Sequence, residues 1–201
     1  MDAEMPIEPV RRKVVWGARG RVTVALTGVL LLMSCGQAVR QGQASSYLVL
    51  TSLTGGSANA STVESDVISN TGSSFTDSGQ ATFQVLMKDN GGLGPSPVNA
   101  ITITQYHVEY VRSDGRNVQG VDVPFAFDGA VTATINASGG VGFTLVRIQA
   151  KQEAPLKALA SGGGAQAITT IARVTFYGHD QTGREVSVTG SIQVTFADWA
   201  G

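Results

Sequence analysis

The chain has 201 residues, 42% of them apolar and 14% charged, with 25 glycines, one cysteine and a net charge of −1. That size accommodates one domain plus a leader. A net charge of −1, with the basic residues that do cluster confined to the first 21 positions, does not resemble the electrostatic footprint of a nucleic-acid binder, and a lone thiol excludes an internal disulfide.

The first element is a leader. Arg11, Arg12, Lys13, Arg19 and Arg21 precede the apolar run VTVALTGVLLLM at residues 22–33. At ~1.5 Å rise per residue, about twelve residues fall short of a ~30 Å hydrocarbon layer, so the run predicts a removable export signal and not a spanning helix. Its basic flank would stay on the cytoplasmic side. Arg11 and Arg12 before Val14 and Val15 offer a second, twin-arginine export reading, whose flanks fit poorly.

The run ends at Leu32-Met33-Ser34-Cys35, and Cys35 is the sole cysteine. This stretch resembles the lipobox of bacterial lipoproteins: an aliphatic residue three places before the cysteine, a small residue directly before it, then the cysteine itself. The resemblance covers the first 35 residues or so. It implies that signal peptidase recognises Leu32 and Ser34, and that Cys35 becomes the acylated first residue of the mature chain. It further implies localisation in the bacterial cell envelope with membrane lipid as the partner of Cys35. Gly36 after the cysteine implies the outer membrane in an organism with two membranes. Multiple acyl chains anchor durably, at about 0.8 kcal/mol per buried CH₂. In the plainer alternative, Cys35 is an ordinary small residue of a signal cut after Ala38 or Ala44.

Residues 36–46, GQAVRQGQASS, are small and polar without a periodic apolar face and predict a flexible tether. The division expected is therefore a signal peptide at 1–34, a tether at 35–46 and a folded body at 47–201.

From Tyr47 onward, short alternating runs separated by Gly, Pro and Asn predict an all-β fold. Strands are expected near residues 47–53, 63–69, 80–88, 100–112, 117–126, 130–136, 141–151, 168–178 and 184–196, one or two being edge fragments. In VSVTGSIQVTF, Val186, Val188, Ile192, Val194 and Phe196 share one parity while Ser187, Thr189, Ser191, Gln193 and Thr195 take the other, so one face is buried. Phe83, Val85 and Met87 repeat the pattern, as do Val131, Ala133 and Ile135, and Ala172, Val174 and Phe176. The parity shifts from Ile101 and Ile103 to Tyr106, Val108 and Tyr110, which requires a bulge near Thr104 and Gln105, and shifts again between Leu145 and Val146. Asp180 and Gly183, three apart, predict a type I turn that makes the last two strands a hairpin, and Asp114-Gly115 predicts another tight turn.

This arrangement, and the phrase ARVTFYGHDQTGREVSVTGSIQVTF in particular, resembles the immunoglobulin-like and fibronectin type III sandwiches of bacterial envelope proteins over about the last 155 residues. It implies an antiparallel β-sandwich of seven to nine strands. The chain departs from that family in having no cysteine pair and no core tryptophan, since Trp199 lies past the final strand. A jelly roll or another Greek-key sandwich is the competing architecture. About 150 residues bury roughly 70% of their unfolded surface, enough for a core to hold the fold unaided.

Few residues suggest catalysis. His107 should point away from the face that Tyr106 and Val108 bury, and His179 falls in the hairpin turn. No GxSxG elbow is present, and no enzyme activity and no cofactor are expected. Asp114, Asp122, Asp128 and Asp180 sit at strand ends or turns, where they could converge on calcium or simply hold turn amides; the latter is the expectation. Loops at 89–99, with Leu93, and 161–166, after a short helical turn at 155–159, could meet a partner or act as plain spacers. Asn59-Ala60-Ser61 and Asn136-Ala137-Ser138 match the glycosylation triplet, which means little in a bacterial chain.

The function expected is a non-catalytic, membrane-anchored binding or structural module, an accessory of a surface assembly with a protein or glycan partner and no nucleic acid. The alternatives are a calcium-dependent carbohydrate-binding module and a small hydrolase.

Overall fold

The period-two pattern folds into eight strands: β1 (Ser46–Gly55), β2 (Thr62–Asp66), β3 (Asp77–Met87), β4 (Ile101–Val111), β5 (Phe127–Ile135), β6 (Ser138–Val146), β7 (Ile168–Asp180) and β8 (Glu185–Ala197). The computed structural model describes residues 44–56, 60–89, 91, 94–161 and 166–199. The signal segment with Leu32, Ser34 and Cys35, most of the tether, and Leu93 lie outside the described residues.

The strands form two sheets, a three-stranded one in the order β1-β3-β6 and a five-stranded one in the order β2-β8-β7-β4-β5. Neighbours are antiparallel except β2, which runs parallel to β8. The inner faces meet in one core. Phe83 and Val85 of β3 and Leu145 of β6 face Ile101, Ile103 and Val108 of β4, Val174 and Phe176 of β7, and Val194 and Phe196 of β8. Burying such a side chain contributes about 1.5–3 kcal/mol. Four rings lock the centre: Phe176 meets Phe83 edge-on at 5.0 Å and Phe143 at 5.2 Å, and Tyr106 lies 5.3 Å from Phe143. Edge-to-face contact suits the ring quadrupoles and adds to area burial.

Both parity shifts are bulges. In β4, Ile103 pairs with Gly178 of β7 and Gln105 with Tyr177, so Thr104 is the extra residue against β7, whereas on the other side Ala133 and Ala130 of β5 pair with Ile103 and Gln105 and the extra residue lies in β5. That lets Ile103 and Tyr106 both face inward. The crowding falls on Gly178, where a Cβ would strike the Thr102 carbonyl oxygen and come within 2.9 Å of Ile103 Cα, which explains the glycine. Opposite Asp77 and Ser78, β6 skips Leu145, and Leu145 and Val146 are both fully buried. A third shift in β1, at Thr51, had no parity signal.

The β7–β8 hairpin closes as expected: Gly183 N donates to Asp180 O at 3.0 Å and Asp180 N to Arg184 O at 2.9 Å, with Gly183 at φ +80°.

Two expectations are corrected. Residues 117–126 form a loop and not a strand, holding only an isolated bridge between Gln119 and Val123. The Val118 carbonyl accepts from the amides of Val121, Asp122 and Val123, Gly120 takes φ +77°, and Asp122 Oδ2 accepts Val118 N at 3.2 Å. These local bonds outcompete a ladder, and of the apolar residues that suggested a strand, Val118, Val121 and Phe125 are exposed. The expected strand at 141–151 ends at Val146, and the chain continues as helix α1 (Ile148–Gln152) and a 3₁₀ segment, Leu156–Ser161. Within RIQAKQEAPLKALA, Leu156 and Leu159 recur at a spacing of three and are both buried, a helical period. Among the described residues, no helix is long and apolar enough to cross a membrane.

Candidate functional site

Among the described residues, a concavity lies where β2 and β6 end. β2 leads into a turn closed by Ser69 N donating to Ser73 O and Gly72 N to Ser69 O, both at 2.8 Å. Ser74 Oγ fastens the returning chain to Val67 O at 2.8 Å. On the facing side, β6 leads into α1 and the 3₁₀ segment. Between them is an open cavity of ≈ 750 Å³ lined by Val67, Ile68, Gly72, Ser73, Ser74, Ile148, Lys151, Gln152, Lys157 and Ala160. That size matches small-molecule sites.

One wall is fixed by a buried ion pair. The Lys151 side chain is only 1% exposed, and its Nζ lies 3.0 Å from Asp77 Oδ2 and donates to Asp66 O at 2.7 Å. Ser65 Oγ donates to the same Asp77 oxygen at 2.6 Å. A buried ammonium needs such partners to repay its lost hydration. Together these bonds tie α1 to the end of β2 and the start of β3. Near the end of β6, Tyr110 Oη donates to Leu145 O at 2.7 Å, and burial pushes the Tyr110 phenol well above its usual range.

The residues singled out by sequence occupy other places. His107 does lie on the outer face of the five-stranded sheet, where its Nδ1 is 2.8 Å from Asp128 Oδ1. His179 ends β7 beside the hairpin turn, opposite Glu185, with Nδ1 3.1 Å from Asp180 O. Asp114 is shared by Arg112 and Arg116; hydrogen bonds from the Arg112 side chain and then the Arg116 backbone hold its carboxyl well below the usual carboxylate range. Asp122 holds its own loop. Asp180 lies opposite Ile101 at the start of β4, whereas Asp114 follows the end of β4, so the four aspartates do not converge. Among the described residues, no group of three or more His, Cys, Asp or Glu is placed to hold a metal.

Asp180 has a structural task. Its Oδ1 accepts from Thr182 N at 2.8 Å, Thr182 Oγ1 at 2.7 Å and Arg184 N at 2.9 Å, while Oδ2 is buried without a partner. Burial pushes its pKa up, but the bonds from Thr182 and Arg184 outweigh this and the net shift is downward. A depressed folded-state pKa contributes stability that is fully present above the unfolded value of about 3.9 and is lost as pH falls through the folded value. Acid titration of Asp180→Asn should therefore show a shallower loss of stability below about pH 4 than the parent shows. Parallel curves would rule this out.

The groove residues had little to mark them in the sequence. Lys151 stood at the end of an expected strand, Ser73 in a connection and Lys157 in the expected short helical turn at 155–159. The available signal was the change to a helical period after Val146, which places Lys151 on the same short helix as Ile148.

No protein-family model matches the chain. No curated protein matches it either. A solved structure described as "X-ray structure of Northeast Structural Genomics Consortium target SoR45" aligns at 12% identity with a TM-score of 0.32, covering 76% of this chain and 86% of that one. Likeness at that level assigns neither a subfamily nor a function.

Proposed function

We propose that the protein is a lipoprotein of the bacterial cell envelope, anchored through acylated Cys35, whose immunoglobulin-like sandwich is a non-catalytic binding or structural module. The observation that carries the anchor is the sequence itself: five basic residues, an apolar run too short to span a bilayer, and the only cysteine of the chain placed after Leu32-Met33-Ser34. β1 begins at Ser46, eleven residues after Cys35, leaving a short polar leash.

Strand order supports the immunoglobulin-like reading. Lettered in that family's manner, β8-β7-β4-β5 is G-F-C-C′ and β1-β3-β6 is A-B-E, with β2 the portion of the first strand that crosses to pair with G. Where antibody domains pin B to F with a disulfide, Phe83 and Phe176 sit 5.0 Å apart, and Tyr106 on the C strand lies beside Phe176 at 6.2 Å. A binding role is supported by the groove between the 67–74 turn and α1, built around a buried ion pair that holds its wall rigid.

Fractionation of cells expressing the Cys35→Ser chain tests the anchor. The exported variant should leave the membrane pellet for the soluble fraction, while the parent stays and yields a mature chain that begins at Cys35 and carries lipid mass. A variant that sediments as the parent does would refute the reading.

A further inference from the structure

We propose that the groove between the 67–74 turn and α1 takes an amphipathic monoanion, with an aliphatic body on its apolar floor and a carboxylate head at Lys157. Ile68, Ile148 and Ala160 supply that floor, half-buried and continuous with the core through fully buried Val67. Lys157 stands exposed at its edge.

The charged lining is of one sign. Ser73, Gln152 and Lys157 all offer donors, and no Asp or Glu is among the residues that line the cavity. The two lysines differ in what they can do. Lys151 is neutralised by Asp77 and also bonded to Asp66 O, so it holds the wall. Lys157 has an exposed side chain, and its backbone amide donates to Glu153 O at 2.8 Å, so only the ammonium is free to be traded for a ligand.

Charge and surface together select the ligand. A cation would meet Lys157 without a carboxylate to receive it. A small hydrated anion such as inorganic phosphate would satisfy Lys157 but leave Ile68 and Ile148 wet. A neutral sugar would give up hydration over the same apolar floor without an ionic gain. An alkyl carboxylate covers both, replacing water on the floor and accepting a charge-assisted hydrogen bond at the rim.

The inference deepens the binding-module reading and needs no anchor, so it is tested on the full chain carrying Cys35→Ser, which has no acyl group to compete for the groove. Decanoate below its micellar range should displace 1-anilinonaphthalene-8-sulfonate, read as a loss of fluorescence, while decyltrimethylammonium and decanol should not. Lys157→Glu should weaken decanoate about tenfold or more, and Ser73→Asp, an exposed change across the groove, should weaken it in the same direction; circular dichroism of both should match the parent. Equal displacement by decanoate and decyltrimethylammonium would overturn the proposal. So would a Lys157→Glu chain that binds decanoate unchanged, the result expected if the apolar leader were the binding element. Neither result bears on the sedimentation of Cys35→Ser, which tests the anchor alone.

Discussion

Phe176→Ala should lower the unfolding free energy by about 3–5 kcal/mol, the cost of emptying a ring-sized space in a core that relaxes only in part. Phe176 is fully buried and touches rings from both sheets: Phe83 of β3, Phe143 of β6 and Tyr106 of β4. Its removal therefore loosens the contact between layers, not one strand alone. The chain has one cysteine, so no internal disulfide can take up the load. Against a total of about 5–15 kcal/mol for ordinary domains, a loss of this size is a large share. Urea unfolding would show a lower midpoint with an unchanged slope. Ile171→Ala, at a residue 44% exposed on the same strand, serves as the comparison and should change little. If the two variants unfolded at the same midpoint, the ring cluster would not be the join between the sheets.

Lys151→Met should cost about 3 kcal/mol, the lower end of what breaking a buried pair costs. The lower end applies because the Asp77 side chain keeps 23% of its surface and water can partly replace the ammonium. Asp77→Asn retains an acceptor for Ser65 Oγ while removing the charge, so the pair of changes isolates the ionic contact. The double variant should lose less than the sum of the singles by at least about 0.5 kcal/mol. Strict additivity would mean that α1 is held by its apolar side, through Ala150, and by the Leu156 anchor of the 3₁₀ segment that follows, and not by the ion pair.

The strands that were legible in the sequence are those buried on one face along their full length. β8 shows why: Val186, Ile192, Val194 and Phe196 are buried and Thr189, Ser191 and Gln193 are exposed, so hydrophobicity and backbone period report the same thing. The bulges at Thr104 and Leu145 were legible for a related reason, since an extra residue must reverse the parity that follows it. Residues 117–126 misled because Val118, Val121 and Phe125 are apolar without being buried, and the conformation there is set by side chains bonding their own backbone. The groove was illegible because it joins a turn after β2 to a helix after β6, about 80 residues later. The partnership of Lys151 and Asp77 arises from the register of β3 against β6, which no local pattern encodes.

β3 has a further consequence. Its first residue, Asp77, pairs with Lys151 of the groove wall, and its last, Met87, pairs with Ser46, the first residue of β1. Eleven residues at about 3.3 Å each put the two some 35 Å apart, at opposite poles of the sandwich. Substitutions at the two poles should therefore add in their effects on stability, since sites more than about 10 Å apart with no shared partner rarely couple.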